Sequence, residues 1–185
     1  MRKYLGLLVL MAFLLGSAYG QSASEDRELV LQGGLGISPL EGIIGNTKGV
    51  PFSMSLSYKI SEEISIGIYT GLHTTKWVAM EAVPGWFEES GYNYTYISIG
   101  GRGLYHVDFF ENENIDTYGV VSLGYCIVSW SGFGLVTEEE AKTSFIMYGF
   151  GGGIRYFFTP NIGVFGESGY GAGIDLLALG ISLKL

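Results

Sequence analysis

The clearest pattern in this sequence is an alternation of apolar and polar residues with a period of two. Apolar residues take every second position of 51–60, where they alternate with Ser and Lys, and of 179–185, where they alternate with Gly, Ser and Lys. Period two is the signature of a β-strand with two unlike faces. Repeated along the chain, it predicts eight strands, at residues 28–37, 51–60, 64–73, 92–107, 116–130, 145–157, 162–170 and 174–185.

The two faces of these strands differ in a way that favours a membrane. One face carries large aliphatic and aromatic residues, and the other is mostly Gly and Ser; only 15% of the chain is charged, below the ~25% of soluble domains. After the first segment, no apolar run approaches the ~20 residues of a spanning helix. The fold class predicted is an all-β, eight-stranded antiparallel up-and-down transmembrane β-barrel. The alternative is a soluble lipocalin-like barrel, whose outward polar face would need many more charges.

The first residues have the composition of a targeting signal. Arg2 and Lys3 precede an apolar run at 4–15 and a small-residue exit at 16–20, so we predict a signal peptide at 1–20 with cleavage before Gln21. A short polar lead at 21–27 and the barrel at 28–185 follow. The alternative, an uncleaved helical anchor, is disfavoured because the apolar run is short.

The connections between strands differ in length, which predicts an orientation. The short turns after residues 60, 107 and 157 are expected on the periplasmic side, and the longer connections outside. Segment 74–91 is predicted as a long loop in which Trp77, Trp86 and Phe87 form a contact surface. The alternative is that the strands extend beyond the membrane and these aromatics pack on one another. Two interfacial girdles are expected, from Tyr58, Tyr105 and Tyr156 at one end and Trp130, Tyr148 and Tyr170 at the other.

Three charged residues fall on inward faces of the predicted strands: Arg102, Arg155 and Glu167. A charge buried in a narrow lumen must be paired. We therefore predict that Glu167 accepts hydrogen bonds from Arg102, Arg155 or both, forming a plug against ions. The alternative is that each charge is solvated separately in a wet lumen.

The signal segment, the eight strands, the closing aliphatic strand and the sequence Gly-Phe-Gly-Gly-Gly-Ile-Arg-Tyr-Phe-Phe at 149–158 resemble the small outer-membrane β-barrel family that includes OmpX-like and OmpA transmembrane barrels. The resemblance implies a bacterial outer-membrane location. It also implies outer-membrane lipid, lipopolysaccharide and the barrel-assembly machinery as partners. Many members end in an aromatic residue that this machinery reads, whereas this chain ends in Leu185.

The sequence contains no motif for nucleic-acid binding, metal binding or catalysis. With 18 acidic and 10 basic residues, the chain lacks the basic patch that nucleic acid requires. Cys126 is the single cysteine, and no Cys/His spacing for zinc occurs. His73 and His106 have no evident base and third group around a nucleophile. We therefore predict no catalytic, cofactor-binding or metal residue, and no enzymatic activity.

The predicted function is a non-enzymatic membrane-structural or surface-interaction role through extracellular loops, with a lumen plugged by side chains and a possible extracellular partner. One alternative is a conduit for small hydrophobic molecules, similar to OmpW-like barrels. A further alternative is a lipid A-modifying enzyme. An apolar upper lumen would favour the conduit, and a cluster of histidine, hydroxyl and carboxylate would favour the enzyme.

Overall fold

The structure, a computed structural model, describes residues 28–37, 46–47, 49–83, 86–134 and 143–185. The predicted signal peptide at 1–20 and polar lead at 21–27 lie outside the described residues. Within the described ranges, no helix is long and apolar enough to cross a membrane. The strands are β1 (Leu29–Ile37), β2 (Asn46–Thr47), β3 (Phe52–Lys59), β4 (Ile64–Val83), β5 (Trp86–Val107), β6 (Ile115–Phe133), β7 (Phe145–Phe157), β8 (Ile162–Ala172) and β9 (Leu177–Lys184).

The eight long strands, β1 and β3 to β9, form one closed antiparallel barrel. The sheet runs β4-β3-β1-β9-β8-β7-β6-β5, and a β4–β5 pairing closes it. The first and last strands meet in register from Val30↔Lys184 to Ile37↔Leu177, so neither has a free edge. The two-residue strand β2 adds a short pairing with β4 at Lys76 and Thr75. The predicted eight-stranded antiparallel barrel is confirmed.

The alternation along each strand separates a lumen from an outer surface. On β3, Ser55 is 4% exposed inside the barrel, whereas Leu56 pairs with Ile68, which is 56% exposed on the outside. An eight-stranded barrel has an interior just wide enough for its own side chains. Small inward residues are therefore needed wherever a large inward residue crosses the lumen.

The predicted loop at 74–91 is wrong. β4 continues to Val83 and β5 begins at Trp86, and the two strands pair throughout, from Ile64↔Tyr105 to Val83↔Trp86. The sequence was misleading because the first outward rows of this part, at Thr74 and Lys76, are polar, and apolar residues return to the outer face only at Val78 and Met80, while the inner face is aromatic. The simple alternation of aliphatic residues with Gly and Ser therefore stops at this point.

The outer face of β4, β5 and β6 changes from apolar to polar at one row of the sheet. Leu72, Ile97 and Ile127 form the last outward row with a large apolar residue on all three strands. The next outward rows are Thr74, Thr95 and Ser129, and then Lys76, Asn93 and Ser131. Because the three strands change together, this row marks where an apolar surrounding ends, and the sheet continues beyond it. We call the part beyond this row the projecting sheet.

This boundary predicts unequal effects of charge on the same strand. Ile68→Arg, in the middle of the apolar band, should lower the free energy of unfolding by ~2–4 kcal/mol. Thr74→Arg, one row past the boundary on the same outer face, should change it little. Urea unfolding in lipid vesicles measures both variants. Equal losses at the two positions would mean that the apolar band extends past Leu72.

Candidate functional site

Polar and charged side chains meet inside the half of the barrel that ends in the turns at 60–63, 108–114 and 158–161, which we call the short-turn end. They come from strands far apart in sequence, because closure of the barrel brings their inner faces together. Tyr118 and Glu167 lie in one row, each paired with Gly153 of the strand between them. We call the following set the lumen network: Gln32, Ser55, Arg102, Asp116, Tyr118, Arg155 and Glu167.

The centre of the network is Glu167. Arg102 donates from Nη2 to Glu167 Oε2 over 2.6 Å, and the Tyr118 hydroxyl donates to the same oxygen over 3.0 Å. The Arg102 side chain is 3% exposed and that of Glu167 is 18% exposed. The structure thus brings together two of the three charged residues singled out in the sequence. The contribution of this pair to stability stays a prediction.

Arg155 belongs to a second ion pair rather than to Glu167. Among the described side chains, its Nη1 donates to Asp116 Oδ2 over 2.8 Å and its Nη2 to Gln32 Oε1 over 2.9 Å. Its guanidinium carbon also lies 4.2 Å from the centre of the Tyr118 ring, within cation–π distance. Arg155 is 1% exposed, so each of these contacts replaces water that the guanidinium has lost.

Gln32 joins the two ion pairs into one network. Its side-chain amide donates to the Tyr118 hydroxyl over 3.2 Å, and its oxygen accepts from Ser55 over 3.2 Å. The network therefore spans the lumen and holds two guanidinium groups against two carboxylates. The cavity beside it, lined by Tyr69, Arg102 and Glu167 among others, measures about 20 Å³, which is room for about one water molecule.

Sequence analysis assigned no partner in the lumen to four members of this network, Gln32, Ser55, Asp116 and Tyr118. Each continues the inward period of its strand, so the face could have been deduced. The prediction considered only charges in strand interiors, and Asp116 stands at the start of a predicted strand. His106 has no predicted partner either, whereas in the structure it contacts Asp116 and Ser65.

Gly153 makes room for the Tyr118 ring. A Cβ atom added at Gly153 would lie 2.5 Å from the Tyr118 hydroxyl oxygen and ring carbon. We expect Gly153→Ala to displace the ring from Glu167 and to lower the free energy of unfolding by about 1–3 kcal/mol. Gly119→Ala is the matched control, because its added Cβ would come no nearer than 3.9 Å to another atom. Equal unfolding midpoints in urea for the two variants would contradict this role of Gly153.

The other half of the lumen is aromatic and apolar. Tyr69, Tyr92, Tyr94, Tyr96, Cys126 and Met147 form a buried cluster, against which Trp77, Val128, Phe145 and Ile174 pack. The connection between β8 and β9 folds inward at this level. Ser98 donates to the Gly173 carbonyl over 2.7 Å, and a Cβ at Gly149 would collide with Ile174. A cavity between Tyr69, His73 and Ile174 measures about 20 Å³.

The predicted contact residues lie on strands of the projecting sheet. Trp77 is half-buried and stacks on Tyr92, with ring centroids 6.0 Å apart. Trp86 and Phe87 pair through their backbones with Val83 and Ala82, and their side chains lie outside the described structure. Trp130 was predicted to form an interfacial girdle with Tyr148 and Tyr170, and this is wrong for Trp130. Its side chain faces inward and meets the Tyr92 ring edge-on, with ring centroids 5.8 Å apart. Tyr148 and Tyr170 are exposed on the outer face.

A closed eight-stranded barrel with an apolar outer band and a side-chain-filled lumen defines the class of small transmembrane β-barrels. The chain belongs to the outer membrane protein β-barrel domain family, whose model matches residues 8–177. Membership implies the bacterial outer membrane as its location. Proteins of this family are generally non-enzymatic. Among curated proteins, none matches this sequence.

Solved structures of outer-membrane proteins share this fold. The N-terminal β-barrel domain of Pseudomonas aeruginosa OprF is 12% identical, with 88% of this chain and 100% of that chain covered and a TM-score of 0.52. A major outer membrane protein from Thermus thermophilus is 10% identical, with 86% and 99% covered and a TM-score of 0.58. At such identities the likeness concerns the fold alone.

Proposed function

We propose that this protein is a non-conducting outer-membrane barrel with a membrane-structural and surface-contact role, exported through the signal peptide at 1–20. The short-turn end faces the periplasm and the projecting sheet faces outward. The observation that carries this proposal is the change of the outer face of β4, β5 and β6 from apolar to polar at the Leu72 row. Folded sheet built beyond an apolar band presents a surface to whatever lies outside the membrane.

The projecting sheet has a construction suited to contact. β4 runs on from Leu72 to Val83, on the order of 35 Å along the strand. Its inner face is held by stacked aromatics, including Trp77 and Tyr92. On its outer face, Lys76 Nζ lies 4.7 Å from the centre of the Phe133 ring. A sheet fixed in this way loses little conformational entropy when it binds. Its polar outer rows fit sugar and headgroup surfaces such as lipopolysaccharide, or an extracellular protein.

Cysteine labelling of intact cells tests this orientation. Cys126 is fully buried and gives a low background. A membrane-impermeant maleimide should label Thr95→Cys in intact cells, whereas Glu62→Cys, in a short turn, should be labelled only after the outer membrane is permeabilised. The reverse result would invert the orientation. Labelling of neither variant in intact cells would remove the surface-contact role.

Photo-crosslinking tests the contact itself. A benzophenone amino acid at Lys76, on the outer face of the projecting sheet, should give adducts with lipopolysaccharide or with a surface protein. The same group at Leu56, within the apolar band, serves as the control for membrane lipid. Identical adducts at the two positions would contradict a separate contact surface on the projecting sheet.

The lumen network supports the absence of ion conduction. In planar bilayers the purified barrel should show no single-channel steps, because two ion pairs and Tyr118 cross the lumen. Arg102→Ala combined with Glu167→Ala removes one pair and should produce small conductance steps. Steady conductance by the unaltered protein would overturn the proposal of a non-conducting barrel.

The aromatic upper lumen favours a second candidate, a conduit for small hydrophobic molecules. Tyr92, Tyr94 and Met147 belong to the buried apolar cluster of this half, and the lumen network would force a cargo entering among them to leave sideways into the membrane rather than pass through. Uptake of a hydrophobic fluorescent dye by cells with and without the protein tests it. Uptake that depends on the protein would favour the conduit over the surface-contact role.

A further inference from the structure

Three side chains at the short-turn end have the connectivity of an acyl-transfer triad. The Ser65 hydroxyl lies 2.8 Å from His106 Nε2, and His106 Nδ1 lies 2.6 Å from Asp116 Oδ1. They come from β4, β5 and β6, so the closed barrel assembles them. The second oxygen of Asp116 is held by Arg155, so each carboxylate oxygen has its own partner.

We propose that Ser65, His106 and Asp116 give this barrel a hydrolytic activity toward acyl esters, beyond its structural and surface-contact role and at the opposite end of the molecule. In the proposed tautomer, Nδ1 of His106 carries the proton and donates a hydrogen bond to Asp116 Oδ1. That tautomer leaves the lone pair of Nε2 facing the Ser65 hydroxyl, as a general base requires. In this arrangement Ser65 and His106 are the catalytic residues, and Asp116 is a positioning residue.

The triad opens on a vestibule from which a substrate could reach it. Ser65, His106 and Asp116 all line a cavity of about 660 Å³ at the short-turn end. Ser65 is itself 3% exposed, and the His106 side chain is 12% exposed, so an acyl group must enter the vestibule to meet them. A cavity of this size accommodates a small ester.

Charge in the vestibule restricts the substrate class. Six further carboxylates line it: Glu28, Glu62, Glu63, Asp108, Glu111 and Glu113. Its cations are fewer, and Lys184 and Arg155 are paired with Glu28 and Asp116. Lys59 also lines the vestibule and stands directly across from Ser65 in the β3–β4 register, and none of the ion pairs among the described residues includes it. The negative electrostatic potential of these carboxylates therefore favours a neutral or cationic ester over an anionic one. Lys59 is the cation placed to stabilise an oxyanion that forms beside Ser65.

The reaction follows from these positions. Ser65 Oγ attacks the acyl carbon while its proton passes to His106 Nε2. The bond to the alcohol breaks, and the alcohol leaves with the proton from His106, so the acyl group remains on Ser65 Oγ. Water then attacks the acyl carbon and gives a proton to His106, which returns it to Ser65 as the acid is released.

The test uses the purified, folded protein with a fluorophosphonate probe and p-nitrophenyl acetate. We expect one phosphonate adduct per chain, mapped to Ser65, and ester hydrolysis that is lost in Ser65→Ala. Ser57→Ala is the matched control, because Ser57 is another buried inward serine, 2% exposed, and it should leave both unchanged. Folding of every variant is checked by a different gel migration of unboiled and boiled samples.

Two further variants separate catalysis from structure. His106→Gln should slow adduct formation and hydrolysis about 10²–10⁴-fold, the usual contribution of a general base. Asp116→Asn should lower kcat with little change in KM, because Asp116 acts on the reaction through the orientation of His106. The same substitution removes the counter-charge of Arg155, so its kinetics are read only on protein that passes the gel-migration check of folding. The proposal is overturned if the folded protein gives no adduct with excess probe. It is also overturned if the adduct lies on another residue, or if Ser65 reacts equally fast in His106→Gln.

Discussion

We expect the Glu167→Gln variant to lose about 3 kcal/mol of unfolding free energy. Arg102 is 6% exposed and its carboxylate partner lies 2.6 Å away, so the variant leaves a buried guanidinium without a counter-charge. The amide is the same size as the carboxylate, so the loss reports charge rather than packing. Urea unfolding in lipid vesicles measures it.

A double-mutant cycle assigns this loss to the pair. Arg102→Met and Glu167→Gln together should cost clearly less than the sum of the single losses, because the double variant leaves no lone charge. A cycle of Arg155→Met with Glu167→Gln should show weaker coupling, since these residues communicate only through Tyr118 and Gln32 among the described residues. Additive losses in the Arg102 cycle would contradict the ion pair as a source of stability.

The largest loss is expected at Arg155. Arg155→Met should lower the free energy of unfolding by about 3–5 kcal/mol, because it leaves Asp116 without its guanidinium partner and removes one of the two donors to Gln32 Oε1. Arg155→Lys should recover only part of this loss, since an ammonium cannot serve Asp116 and Gln32 with the same planar fork.

The control for Arg155 is an ion pair at the same end of the barrel. Lys184 and Glu28 lie 3.2 Å apart with side chains 26% and 33% exposed. Lys184→Met should cost no more than ~1 kcal/mol, as for other solvent-screened pairs. If Lys184→Met and Arg155→Met shift the urea midpoint equally, burial does not account for the contribution of the lumen network to the free energy of unfolding.

Much of the barrel could be predicted because alternation is a local property. The faces of β3 and the whole span of β7 follow from neighbouring residues alone. The strand prediction stopped at the row where the surroundings of the outer face change, although the strands themselves continue. Past Leu72 the outer face meets a polar surrounding, so β4 and β5 continued without the aliphatic alternation that marked them below.

The candidate sites depended on information of another kind. The ion pair of Arg102 with Glu167 could be predicted from the sequence, because both residues are charged and face inward. The partner of Arg155 was not identified, because alternation gives the face of each strand but not which inward carboxylate, Asp116 or Glu167, the closed barrel places beside it. The triad of Ser65, His106 and Asp116 was missed because a hydroxyl and a carboxylate 41 and 10 residues from a histidine form no sequence motif.

The sequence by itself determined the strand class, the two faces and the inward position of Arg102, Arg155 and Glu167, since each depends on a period of two residues. Tertiary structure decided which inward residues meet. Closure fixes the stagger of eight strands at once, and a contact such as that of Arg155 with Gln32 joins residues 123 positions apart. In a lumen this narrow, a shift of two residues in one strand would exchange every partner, so the pairing belongs to the closed barrel and not to any strand within it.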